Sequence, residues 1–142
     1  MDEHEALITS LRDRLHDSEF YRWAGVEVIE ASPGVVEIAF EAGSQHLNLQ
    51  GLVHGGILAT IADTAMGLAV RTALEPGRRH VTVQLGIEFL SSGRPGRITA
   101  RGRSVKIGTQ LGFAEADVMN AAGRLLARAH STLSVTTEKP RQ

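Results

Sequence analysis

From Gly51 to Val70 runs a stretch of twenty residues that is almost wholly apolar and carries a single charged side chain, Asp63, near its middle. The length is about that of a membrane span. A carboxylate at the centre of a bilayer is expensive, however, so the stretch reads as the buried helix of a water-soluble fold. The helix itself is expected from Gly56 to about Leu74, closed by Pro76-Gly77. It has almost no polar face and must therefore be covered on nearly all sides.

The remainder of the chain supplies the cover. Glu3 to Asp17 places Ala6, Leu7, Leu11 and Leu15 on one helical stripe with charges elsewhere. Phe20, Trp23 and Ala24 lead into a break at Gly25. Val26 to Ala31, the turn Ser32-Pro33-Gly34 and Val35 to Phe40 form a hairpin signature. Residues 41–53 are irregular. Beyond the apolar helix, strand patterns run over His80–Leu90, Arg97–Lys106, Leu111–Met119 and Leu125–Val135, with a bulge or turn at Ile107-Gly108-Thr109. No βαβ alternation and no internal repeat occurs.

The fold class is α+β: an antiparallel β-sheet wrapped around a long central α-helix, with an N-terminal helix. A length of 142 residues is one domain's worth, here residues 1–142, with residues 1–22 as an N-terminal helical segment and 137–142 as a loose tail. Aromatic residues make up only 4%, so the core is expected to be aliphatic and rich in alanine.

Charge and cysteine content narrow the chemistry. Fifteen Lys+Arg against sixteen Asp+Glu give a net charge of -1, unlike the basic excess of a general nucleic-acid binder. The absence of cysteine removes disulfides, thiol nucleophiles and Cys-ligated metals together. The six histidines show no close metal spacing, so no metal site is expected. The acidic start, Met1-Asp2-Glu3-His4-Glu5, lacks the order of a signal peptide, and the expected location is the cytoplasm.

Chemistry concentrates in Asn48-Leu49-Gln50-Gly51-Leu52-Val53-His54-Gly55-Gly56 and the helix that follows. Gly55 and Gly56 stand where the helix begins, where backbone N–H groups and the dipole attract developing negative charge. Two readings fit them: a cradle for an oxyanion, or a tight turn into the helix. Asp63 lies among Ile57, Leu58, Ile61, Ala62, Ala65, Met66 and Leu68, with no cation three or four residues away. A carboxylate there is either paired structurally or is a tuned base or nucleophile in a cleft. Thr60 and Thr64 also interrupt the apolar surface; threonines commonly bond back to helix carbonyls.

Gly55 and Asp63 are eight residues apart, about 12 Å along a helix at roughly 1.5 Å per residue. Groups acting on one reacting centre must each lie within about 3 Å of it. If both serve one substrate, they come from different copies of the chain, with two antiparallel central helices related by a two-fold axis. The site is then a property of a dimer.

The pattern Asn48-x-x-Gly51-x-x-His54-Gly55-Gly56-x6-Asp63 closely resembles the hotdog-fold acyl-CoA thioesterases, in particular the PaaI-like (phenylacetic-acid-degradation) group. The likeness covers Trp23 to Val135. It implies hydrolysis of an acyl-CoA thioester to a carboxylic acid and CoA, with no cofactor beyond the CoA of the substrate and no nucleic-acid or membrane partner. It also implies a homodimer, commonly paired further into a homotetramer. By position, the Gly55 N–H polarises the thioester carbonyl with Asn48 assisting, and Asp63 of the other subunit activates water or attacks as nucleophile. His54 matches the motif histidine, which orients the site or donates a structural hydrogen bond. Thr82 matches a hydroxyl residue that helps to place the water. Gly56 is expected to contact the substrate, and Lys106-Ile107-Gly108-Thr109 resembles the family's Lys-x-Gly segment near the CoA phosphates, with Arg94 and Arg103 adding charge. Many relatives carry a basic residue where Thr109 stands. The use of aspartate rather than glutamate on the helix favours the PaaI-like arrangement. The alternatives are a protein that holds acyl-CoA without turning it over, and an enoyl-thioester hydratase, whose histidine-centred motif is absent.

Overall fold

The computed structural model describes residues 1–137, and of the tail read as loose only Thr137 falls within them, as the last residue of a strand. Helix α1 (Glu3–His16) is N-capped by Asp2, whose carboxylate accepts from the Glu5 N–H at 2.8 Å, and it buries Leu11 and Leu15. Ser18 caps a second short helix, α2 (Glu19–Ala24), where the sequence had suggested only a lead into the Gly25 break.

Strands β1 (Glu27–Ser32) and β2 (Val35–Ala42) form the expected hairpin. A 3₁₀ turn at Ser44–His46 opens the irregular segment, and α3 (Gly55–Ala73) follows it. Then come β3 (Arg78–Phe89), β4 (Gly96–Ile107), β5 (Leu111–Asn120) and β6 (Leu125–Thr137). The six strands make one antiparallel sheet in the order β1-β2-β4-β5-β6-β3. The irregularity anticipated at 107–109 resolves into two features. The β4–β5 pairing slips between Ser104 and Lys106, and residues 108–110 make the turn.

The inner face of the sheet wraps α3. Ile98, Ala100, Ala114, Ala116, Val118, Leu126, Ala127 and Leu133 from the strands meet Ile61, Ala62, Ala65, Met66, Ala69 and Val70 from the helix. Small residues let the two layers close up. At Gly102 an added Cβ would lie 2.2 Å from the Ala65 carbonyl oxygen, so only glycine permits this approach of α3 to β4. The helix is not covered on every side, as its composition had suggested. Ala59, Asp63, Gly67 and Arg71, spaced four apart, form a half-buried stripe, and Asp63, Gly67 and Arg71 line a cleft beside the start of β3.

Two edges bound the sheet. β1 has six residues, whereas β3 presents a twelve-residue edge with Val81 and Val83 65% and 60% exposed. No helix among the described residues is long and apolar enough to cross a membrane.

Candidate active site

The start of α3 is defined by where its orphan N–H groups go. The first four N–H groups of a helix have no partner within it. Here His54 is the N-cap: its Nδ1 accepts from the Gly56 N–H at 2.8 Å, and its carbonyl accepts from Ile57 and Leu58 at 3.0 and 3.3 Å. That leaves the Gly55 N–H as the one donor of the first turn with no acceptor among the described residues. Beside it lies Phe89, whose Cζ would be 3.1 Å from a Cβ at position 55.

Asn48 organises the approach to this turn. Its side-chain Oδ1 accepts from the Gln50 and Leu52 N–H groups at 2.9 and 3.1 Å, and its own N–H donates to the Leu52 carbonyl at 2.7 Å. The side-chain oxygen is thus committed to the loop, and the amide NH₂ remains.

Asp63 stands two turns further along α3, half-buried. Thr82 on β3 donates its hydroxyl hydrogen to Asp63 Oδ1 at 2.9 Å. The pairing of Thr82 with buried Leu133 turns its side chain toward the helix, and the β3–β6 register slips immediately after it, between Thr82 and Gln84. Bulges are common where a sheet must aim a side chain. Neighbouring Thr60 and Thr64 bond back to the carbonyls of Gly56 and Thr60 at 3.0 and 2.8 Å.

Asp63 and Thr82 open into a cleft of about 1220 Å³ between α3 and the start of β3, lined also by Tyr21, Thr64, Gly67 and His80. Tyr21 and His80 carry no motif signal. The Tyr21 hydroxyl is 3.4 Å from Thr64 Oγ1. His80 shares the inward face of β3 with Thr82, and its Cε1 would be 3.3 Å from a Cβ at Gly67. Its Nδ1 is buried without a hydrogen-bond partner among the described residues. Burial, then the Arg71 charge, then Arg14 hold the imidazole below its ordinary pKa, while Asp63 opposes them. The period-2 pattern of β3 was the one signal that could have placed His80 beside Thr82.

The residues expected near CoA phosphates do not converge in one protomer. Arg94 lies in the loop after β3, whose Gly93 carbonyl accepts from the Val53 N–H at 2.9 Å, at the α3 start. Lys106, Gly108 and Thr109 lie at the far end of β4, whose twelve residues span about 36 Å at roughly 3.3 Å each. There the Arg78 guanidinium donates to the Thr109 carbonyl. Arg103 projects from mid-β4 and is paired with Glu115 on β5.

Comparison with known proteins places the family and the fold. The model of the thioesterase superfamily matches residues 50–127. A putative esterase of Halobacterium salinarum is 38% identical over 126 residues, covering 85% of this chain and 81% of that protein. Human acyl-coenzyme A thioesterase 13 is 30% identical over 109 residues, covering 75% of this chain and 77% of its own. The E. coli PaaI protein of the phenylacetic acid degradation operon superposes with a TM-score of 0.86, covering 97% of this chain and 99% of that one. Its 21% identity speaks to the fold alone.

Proposed function

This chain belongs to the thioesterase superfamily and has the hotdog fold, and we propose that it hydrolyses acyl-CoA thioesters at a site completed by a second protomer. The observation that carries the reading is the separation of two halves of one chemistry. A carboxylate held by a hydroxyl (Asp63–Thr82) lies in a cleft, and the unpaired Gly55 N–H lies about 12 Å away along the same helix.

Two features support a two-fold partner. The long β3 edge with exposed Val81 and Val83 is the kind of strand edge that proteins cover. The half-buried Ala59–Asp63–Gly67–Arg71 stripe of α3 borders the cleft, and it is the helix surface that an antiparallel second helix would cover. Such pairing would carry Gly55 of the partner subunit toward Asp63. It would also bring the partner's Arg94 end of the sheet toward the turn at Lys106, Gly108 and Thr109, gathering basic groups for the CoA phosphates.

In the reaction, Asp63 takes a proton from water as the water oxygen attacks the thioester carbonyl carbon. Thr82 fixes one carboxylate oxygen, leaving the other for the water. The carbonyl oxygen becomes an oxyanion that accepts from the Gly55 N–H, with the Asn48 amide assisting. The tetrahedral adduct collapses by breaking the C–S bond, and the CoA thiolate takes the proton from Asp63. His54 acts through the cap that holds the glycine pair in place.

Thiol release from a panel of aromatic and aliphatic acyl-CoAs tests this. Asp63→Asn and Asp63→Ala should lose about 10²–10⁴-fold in kcat, the usual worth of a general base. Parental rates in both variants would remove Asp63 from the mechanism. Tight CoA binding with no thiol release from any substrate would favour the non-hydrolytic alternative.

A further inference from the structure

Of the loop residues 43–54 that deliver the chain to α3, only His46 and Val53 are buried, with His46 3% exposed. The imidazole lies edge-on between two rings, 5.1 Å from Phe40 at 89° and 5.8 Å from Trp23 at 72°. Its Nδ1 accepts from the Gly43 N–H at 3.0 Å. The proton therefore resides on Nε2, which is buried with no hydrogen-bond partner among the described residues. An apolar side chain would fill this pocket without stranding a polar atom. What the imidazole adds is its one hydrogen bond, and that bond goes to the loop backbone.

The backbone of the same residue continues the tie. The His46 N–H donates to the Gly43 carbonyl at 3.0 Å, and the His46 carbonyl accepts from the His54 N–H at 2.8 Å. His54 in turn holds Gly56 through Nδ1. Gly43, His46, His54 and Gly56 thus form one connected chain, and the free Gly55 N–H sits between its last two members. Burial holds His46 below its ordinary pKa, so the imidazole stays neutral and Nδ1 stays an acceptor.

Resting on the reading of Gly55 as oxyanion donor, we propose that His46 is a positioning residue: it anchors the 43–54 loop and through His54 sets the direction of the Gly55 N–H. It touches no substrate. Its loss lowers kcat through misalignment rather than through lost binding.

Three substitutions separate this role from simple packing. His46→Asn keeps an acceptor at the same bond distance from the backbone, His46→Leu keeps bulk without an acceptor, and His46→Gln moves the acceptor one bond outward. Kinetics of thiol release, melting temperature and backbone amide exchange by NMR are measured for each. The Leu and Gln variants are expected to lose roughly tenfold to a hundredfold in kcat, the scale of a misplacement of about 1 Å. KM should change by less than about threefold, because ground-state contacts are untouched. The His54 and Gly56 amides should exchange faster in those two variants and at the parental rate in His46→Asn. A folded Leu or Gln variant with parental kcat and parental exchange overturns the assignment. Equal losses in Asn and Leu, tracking melting temperature, overturn it too. A parent that releases no thiol refutes the thioesterase reading instead, and the amide exchange still decides the anchor.

Discussion

Gly55→Pro separates the proposed oxyanion donor from the fold that presents it. Gly55 is the first helical residue after the His54 cap, where proline is well tolerated because its missing N–H would be an orphan anyway. The residue before a proline must be extended, and His54 already is, at φ -61 and ψ 132. The new ring meets Phe89, whose Cζ is 3.1 Å from the Cβ position; Phe89 is 54% exposed and can swing away by the few tenths of an ångström required. The stability cost is therefore small, whereas the one unaccepted N–H of the first turn is deleted. Removing an oxyanion donor costs about 10²–10³ in kcat, or roughly 2.7–4 kcal/mol. Gly55→Pro should show that loss in thiol release with a near-parental melting temperature. Mixing decides where the partner group lies. Gly55→Pro and Asp63→Asn protomers carrying different tags, co-expressed and purified through both, form heterodimers with one intact site and one doubly damaged site. Such heterodimers should recover roughly half the parental rate, as two-fold symmetry requires. Heterodimers no more active than either parent variant refute the shared site. Parental activity in Gly55→Pro alone refutes the donor.

Thr82→Val removes the hydroxyl from Asp63 at nearly constant volume and should lower kcat about tenfold or more, with Thr82→Ser restoring it; full activity in the valine variant would show the hydrogen bond to be incidental. Acid should destabilise the protein through two histidines. His46 and His80 both bind protons more weakly folded than unfolded, so stability is complete above the ordinary value of 6.5 and is lost as pH falls below it toward their folded values. Urea midpoints measured from pH 7.5 to 5 should therefore fall, and less steeply in His80→Gln; an equal slope would show that His80 contributes nothing. Gly102→Ala must open the α3–β4 contact by about 1.2 Å, from 2.2 Å to the 3.4 Å of ordinary contact. Overpacking of that kind costs about 1–3 kcal/mol, and an unchanged melting temperature would mean that the helix is looser on the sheet than its packing implies.

The elements whose signals are local were legible from the residues. The apolar run bounded by glycines and Pro76-Gly77 became α3 within one residue at each end, and the strand pattern over Arg97–Lys106 became β4, Gly96–Ile107. Helix α2 was not legible, because six residues offer less than two turns over which a period can be counted. Asp63 announced itself as a charge in an apolar run, yet its partner could be named only by resemblance. Thr82 is nineteen residues away, and only the strand order and the register slip at Val83 bring it to Asp63. Arg94, Arg103 and the 106–109 segment looked like one basic cluster in the sequence. The extension of β4 separates them, because thirteen residues of strand and loop carry the chain from one end of the sheet to the other.

His46 and Gly102 show a deeper limit. A histidine in a polar loop and a glycine in a charged strand have unremarkable local surroundings, and each acquires its meaning from atoms distant in sequence. For Gly102 these are the Ala65 and Met66 backbone, within 2.7 Å of its missing Cβ; for His46 they are the rings of Phe40 and Trp23. Both constrain the same object from opposite ends. Gly102 sets how close the middle of α3, two residues from Asp63, lies to the sheet, and His46 sets how its first turn is presented. On the proposed mechanism, a helix that offers a carboxylate from its middle and an N–H from its start needs both restraints. A shift of about 1 Å at either end is enough to cost a large share of the rate.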